Sequence, residues 1–74
     1  MFIRTCENNI INVDKVSRFY KVPERYADNH IIKAIINEEK FTICKGSPEY
    51  INEQYKILLE GITKNASLID FSEE

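Results

Sequence analysis

The sequence has 74 residues, enough for one small domain, and this length excludes a second one. Hydrophobic residues make up 43% and charged residues 30% of it, with only two Gly and two Pro, which is typical of a folded chain rather than a disordered one. Ten Lys and Arg against twelve Asp and Glu give a net charge of −2, which disfavours nucleic-acid binding because that affinity comes mostly from basic residues on phosphates.

Five short segments are apolar and β-prone, and turn-forming residues separate them. They cover residues 1–5, 10–13, 16–22, 30–37 and 41–45. Pro23 closes the third because it has no amide hydrogen to donate to a sheet. The short connection at Asn37-Glu38-Glu39 makes the last two an antiparallel hairpin. The sequence therefore predicts an antiparallel meander of four to five strands.

Residues 46–49 carry the strongest boundary signal in the chain. Ser47 is a good N-cap and Pro48 suits the first helical position, so a helix is predicted to begin there. The apolar residues that follow form one stripe at helical spacing. They are Ile51, Tyr55, Leu58, Leu59 and Ile62. The predicted helix runs from Pro48 to Thr63, and Gly61 is expected to weaken its last turn.

We therefore expect an α+β fold, with the meander carrying one amphipathic C-terminal helix on one face. Residues 1–64 are predicted to form the domain, and residues 65–74 a tail that is partly apolar and then acidic. Residues 1–4 lack the basic and apolar regions of a signal peptide, and no apolar run reaches the roughly 20 residues of a membrane span. A cytoplasmic protein without membrane contact is expected.

Both faces of the fourth segment are apolar, because Ile31 and Ile35 alternate with Ile32 and Ala34. One helix covers one face, so the other needs the tail, a second copy or a different partner. We expect a homodimer, since a small domain with two apolar sheet faces gains a core by symmetric association. The candidates for this second face or dimer contact are Ile31, Ile35, Leu68, Ile69 and Phe71.

The sequence offers no catalytic constellation. His30 is the only histidine, and no local motif places an acid or a serine beside it. The only cysteines, Cys6 and Cys44, lie far apart and are expected to be reduced thiols rather than metal ligands. We expect a non-enzymatic protein with no catalytic residue, metal or cofactor.

Tyrosine and arginine are favoured anchors of binding interfaces. Val13, Val16 and Phe19 are best explained as buried wall. The candidates for partner contact are Arg18, Tyr20, Arg25, Tyr26 and Tyr50.

The start of the chain and residues 11–16, followed by further strands and an amphipathic C-terminal helix, resemble small uncharacterised proteins of low-GC Gram-positive bacteria and their phages. The resemblance covers most of residues 1–62. It implies a compact meander-plus-helix domain and brings no activity with it.

Three functions follow as hypotheses. The first is a non-enzymatic protein-interaction module for an unknown protein partner, which in a phage or prophage would be an accessory or inhibitor protein. The second is a small-ligand or nucleotide-binding protein with a pocket at a dimer interface, built from Arg18, Tyr20, Arg25 and Tyr26. The third is a nucleic-acid-binding regulator, which requires its basic residues to lie together on one face.

Overall fold

The structure is a computed structural model that describes residues 1–25 and 28–72. Its fold is α+β, as predicted, with two three-stranded sheets and one C-terminal helix in the described residues. The elements are β1 (Phe2–Arg4), β2 (Ile10–Asn12), β3 (Arg18–Pro23), β4 (His30–Ile36), β5 (Glu39–Gly46), α1 (Pro48–Thr63) and β6 (Leu68–Asp70).

The strands divide into two sheets rather than one continuous meander. In the first sheet, β1 lies between β2, which is antiparallel to it, and β6, which is parallel. The second sheet is the predicted antiparallel meander β3-β4-β5. A 3-10 turn at Val13–Lys15 carries the chain from one sheet to the other, and the Asn12 side chain accepts a hydrogen bond from the Asp14 amide at 3.0 Å there.

The predicted tail contributes the sixth strand. The Phe2 amide donates to the Ser67 carbonyl at 3.0 Å, and the Phe71 amide donates to the Arg4 carbonyl at 2.8 Å. Ile69 and Phe71 are only 8% and 5% exposed, so both belong to the core. The tail therefore extends the first sheet along the otherwise unpaired edge of β1, and the domain continues beyond the boundary predicted at residue 64.

The core lies between the inner faces of the sheets and α1. Its buried apolar members come from both sheets, the helix and the chain after β6. They are Ile3, Ile11, Ile32, Ala34, Ile43, Cys44, Ile51, Leu58, Ile69 and Phe71. Val13, Val16 and Phe19, predicted as buried wall, are half-buried and pack against this cluster.

Helix α1 has the bounds that the sequence predicted. The Ser47 hydroxyl accepts a hydrogen bond from the Tyr50 amide at 3.2 Å, and Pro48 occupies the first turn. Ile51 and Leu58 are fully buried, but Leu59 is 48% exposed. Consecutive helical residues are rotated by about 100°, so Leu59 falls at the margin of the stripe that Leu58 centres.

Leu58 and Leu59 form a matched pair for testing this packing. Leu58→Ala should lower the free energy of unfolding by about 2–5 kcal/mol, because it leaves a cavity in the core. Leu59→Ala should cost less than about 1 kcal/mol, since its side chain is half in water. Urea denaturation followed by circular dichroism measures both values. Equal losses would show that the helix is rotated relative to the structure described here.

Gly61 is required by the approach of α1 to the first sheet. A Cβ at this position would meet Cδ1 of Ile69 and lie 3.0 Å from its Cγ1. We expect Gly61→Ala to destabilise the fold by about 1–3 kcal/mol through overpacking, although alanine favours an isolated helix by about 1 kcal/mol.

The control removes the obstructing methyl group. In an Ile69→Val background, Gly61→Ala should cost less, because Cδ1 is absent there and only the contact with Cγ1 remains. Thermal or urea unfolding of the four proteins gives the coupling between the two positions. An equal cost of Gly61→Ala in both backgrounds would contradict the close contact.

Candidate functional site

The second sheet has one face toward α1 and one face away from it. Lys21 marks the helix side, because its Nζ donates to Asn52 Oδ1 at 3.1 Å and lies 4.9 Å from the centre of the Tyr55 ring. Alternate residues point the opposite way and form three rows across the strands. The rows are Arg18, Ile35 and Lys40, then Tyr20, Lys33 and Thr42, then Val22, Ile31 and Lys45. These nine residues are named the basic sheet face.

A β-bulge in β5 completes this face. Ile32 lies opposite Cys44 and Lys33 lies opposite Thr42, so Ile43 has no opposing residue on β4. Ile43 and Cys44 are 0% and 2% exposed, which places two consecutive side chains in the core. The bulge therefore reverses the alternation and places Lys45 outside, whereas a regular strand would aim it at the core.

The basic sheet face concentrates positive charge. It carries Arg18, Lys33, Lys40 and Lys45 and no Asp or Glu. Within residues 1–25 and 28–72, none of these four cations forms an ion pair with a carboxylate. The Arg18 guanidinium carbon lies 5.3 Å from the centre of the Tyr20 ring, so the one aromatic residue here has a cation beside it. A chain with a net charge of −2 thus presents a cationic surface.

The basic sheet face carries apolar side chains on both sides of Lys33, which lies at its centre. Val22, Ile31 and Ile35 are half-buried, and none of them belongs to the core cluster or packs against it. Long basic side chains around such residues shield their apolar surface while the charged ends stay in water. Protein interfaces commonly combine apolar contact area with charged side chains.

The residues predicted from sequence for partner contact and for the second sheet face lie on several different surfaces. Arg18 and Tyr20 join Ile31 and Ile35 on the basic sheet face. Arg25 is exposed in the turn after β3, and Tyr50 is 41% exposed beside Gly46. Tyr26 lies outside the described residues.

Within one copy, two described residues of the predicted nucleotide pocket lie apart, with Arg18 at the start of β3 and Arg25 in the turn after its end. An open depression of about 260 Å³ lies at the end of the second sheet, lined by Pro23, Asp28, Asn29, His30 and Pro48. Arg18 lies at the opposite end of β3, about 17 Å along the strand from Pro23 at roughly 3.3 Å per residue. Arg18 and Tyr20 therefore lie on the basic sheet face and do not line this depression.

A second exposed surface is the outer face of the first sheet. It is named the first-sheet face and consists of Phe2, Arg4, Ile10, Asn12, Leu68 and Asp70. Arg4 Nη1 lies 3.6 Å from Asp70 Oδ2, with both side chains almost half exposed. The Ser72 hydroxyl and amide donate to Asp70 Oδ1 at 2.6 and 2.9 Å. These hydrogen bonds, with a smaller contribution from the Arg4 charge, lower the pKa of Asp70 below its ordinary value.

Comparisons with protein-family models, curated proteins and solved structures give no match for this chain. Among the residues that the structure describes, no three His, Cys, Asp or Glu side chains are grouped so that they could hold a metal ion. No helix of the described chain is long and apolar enough to cross a membrane.

The pKa of Asp70 provides a test of the geometry at the end of β6. Ser72→Ala should raise it toward the ordinary value, and Arg4→Gln should raise it less, because the hydroxyl contributes more than the guanidinium. A carboxyl group whose pKa is lower in the folded state stabilises the fold above its unfolded pKa, and this stabilisation is lost as the pH falls through the folded pKa. Carboxyl carbon NMR titration measures both shifts, and a larger effect of Arg4→Gln would reverse this ranking.

Proposed function

We propose that this chain is a non-enzymatic protein-interaction module that binds an acidic, partly apolar protein segment on the basic sheet face. The observation that carries the proposal is the gathering of four cations and no carboxylate around the apolar side chains of a sheet face. Opposite charge on the partner steers its approach and fixes its orientation, and the apolar side chains of the face supply contact area.

The chemistry of the face favours a protein over a nucleic acid. Sheets that bind single strands use several aromatic side chains on which bases stack. Tyr20 is the only aromatic residue of the basic sheet face, and the apolar residues of this face are Val22, Ile31 and Ile35. Branched aliphatic side chains pack well against Leu, Ile or Val of a partner.

The dimensions of the face limit what it holds. Three strands about 4.8 Å apart and rows about 6.6 Å apart give a surface of roughly 10 by 13 Å. Two helical turns, or an extended segment of about four residues, match that length. We infer that the partner presents one or two apolar side chains to Ile31 and Ile35 and carboxylates to the surrounding cations.

The same charges disfavour a homodimer formed through this face. Symmetric contact through the basic sheet face would bring Arg18, Lys33 and the other two cations of one copy against those of its mate. Like charges in one interface are costly, so this face is proposed for a foreign partner. A cytoplasmic location is part of the proposal.

Binding to a defined acidic peptide tests the proposal. The probe is a synthetic peptide of about 12 residues that alternates Glu or Asp with Leu or Ile, titrated into isotopically labelled protein and followed by amide NMR shifts. We expect the shifts to map to β3, β4 and β5. Lys33→Glu should weaken binding at least about 10-fold, because a central cation becomes a repelling charge.

Two controls make the test specific. Lys56→Glu places the same charge change on the exposed surface of α1 and should alter affinity by less than about 2-fold. A peptide with Lys in place of its acidic residues should not bind. Equal effects of Lys33→Glu and Lys56→Glu would refute the proposed site. A 12-nucleotide oligothymidine that binds more tightly than the peptide, with affinity falling steeply with salt, would favour the nucleic-acid regulator instead.

A further inference from the structure

The first-sheet face exposes apolar side chains that no described element covers. Phe2, Ile10 and Leu68 are 47%, 61% and 49% exposed. Their neighbours along the three strands, Ile3, Ile11 and Ile69, point inward and belong to the core. The outer side chains therefore lie on the side of the sheet away from the core.

The strand register arranges this face in two rows with different chemistry. Phe2 lies beside Leu68, and Arg4 lies beside Asp70, because β1 and β6 pair in parallel. The first row is completed by Asn12 and the second by Ile10, both on β2. On β1 and β6, an apolar pair thus adjoins a pair of one cation and one anion. In contrast to the basic sheet face, these two charges cancel.

Such a pattern is complementary to itself about a two-fold axis. The axis lies between the two copies, runs parallel to the strands and passes midway between β1 and β6. Rotation by 180° about it places β1 of each copy opposite β6 of the other and keeps every residue at the same position along the strand direction. Phe2 then faces Leu68 of a second copy, and Arg4 faces Asp70 of that copy. Sheets packed face to face lie about 10 Å apart, a distance that apolar side chains bridge.

We propose that a second copy of this chain binds the first-sheet face and forms a symmetric dimer in which Arg4 and Asp70 pair between the copies. The ion pair within one copy is exposed and loose at 3.6 Å, so exchanging its partner costs little. The dimer rests on residues that take no part in the proposed binding of an acidic partner. With the axis between β1 and β6, only these two short strands of each copy face each other, so the interface is small and the dissociation constant is expected on the order of 100 μM.

Charge reversal with complementation tests the dimer. Sedimentation equilibrium of the full chain from about 10 μM to 1 mM should show a monomer–dimer equilibrium. Arg4→Asp alone and Asp70→Arg alone should each weaken it at least about 10-fold, because each dimer would juxtapose like charges. An equimolar mixture of the two variants should restore association to within about 3-fold, since both intermolecular pairs are then opposite in sign.

The controls distinguish this interface from electrostatic attraction between oppositely altered variants and from contact through the basic sheet face. Mixing Arg4→Asp with Glu53→Arg, which carries the same net charge as Asp70→Arg but changes the exposed surface of α1, should not restore the dimer. Leu68→Ser should weaken the dimer, and Ile57→Ser, at a similarly exposed helical position, should not. Lys33→Glu should leave it intact.

Three outcomes would overturn the proposal. They are a monomer throughout the concentration series, single reversals that leave the dimer unchanged, or a mixture that fails to associate. Circular dichroism of each single variant verifies its fold. Restored association in the mixture cannot come from relief of repulsion within a protomer, because each protomer in it still has like charges at positions 4 and 70. Loss of acidic-peptide binding alone would leave the dimer standing.

Discussion

The rest of the structure depends on the fact that one helix packs in a single core with the inner faces of two sheets. Ile51 and Leu58 of α1 are fully buried among side chains from the inner faces of both sheets. No other helix lies among the described residues, so each sheet turns its second face outward. The composition of those outer faces is therefore a question of function as much as of stability, because large apolar patches on a small protein mark binding surfaces.

The two outer faces differ in how charged side chains surround their apolar residues. On the second sheet, Ile31 and Ile35 flank Lys33 and are half-buried although no described element covers them, and long basic side chains can shield such apolar neighbours with their alkyl stems. On the first sheet, one cation and one anion lie beside Phe2 and Leu68, and about half of each apolar side chain stays in water. The first arrangement resists self-association, whereas the second permits it.

Local chemistry made part of this predictable from the sequence. The Ser47 cap and the apolar period predicted α1 correctly, and the α+β class followed from the turn signals. The pairing of β6 with β1 depends on contact between the two ends of the chain, which no short-range pattern encodes. The consecutive apolar residues Ile43 and Cys44 were the only local sign of the bulge. Without the bulge, Lys45 would have been assigned to the wrong face, so the basic sheet face emerges only from the register.

The basic sheet face and the first-sheet face belong to different sheets, so occupation of one leaves the other open. A dimer formed through the first-sheet face would carry two basic sheet faces, each still able to hold an acidic segment. A partner with two such segments would then bind the second one intramolecularly, at an effective concentration set by the linker between its segments. Two weak sites could in this way produce strong binding without any additional contact. With neutral charge on one face and excess charge on the other, the proposed self-association and the proposed partner binding would use separate surfaces.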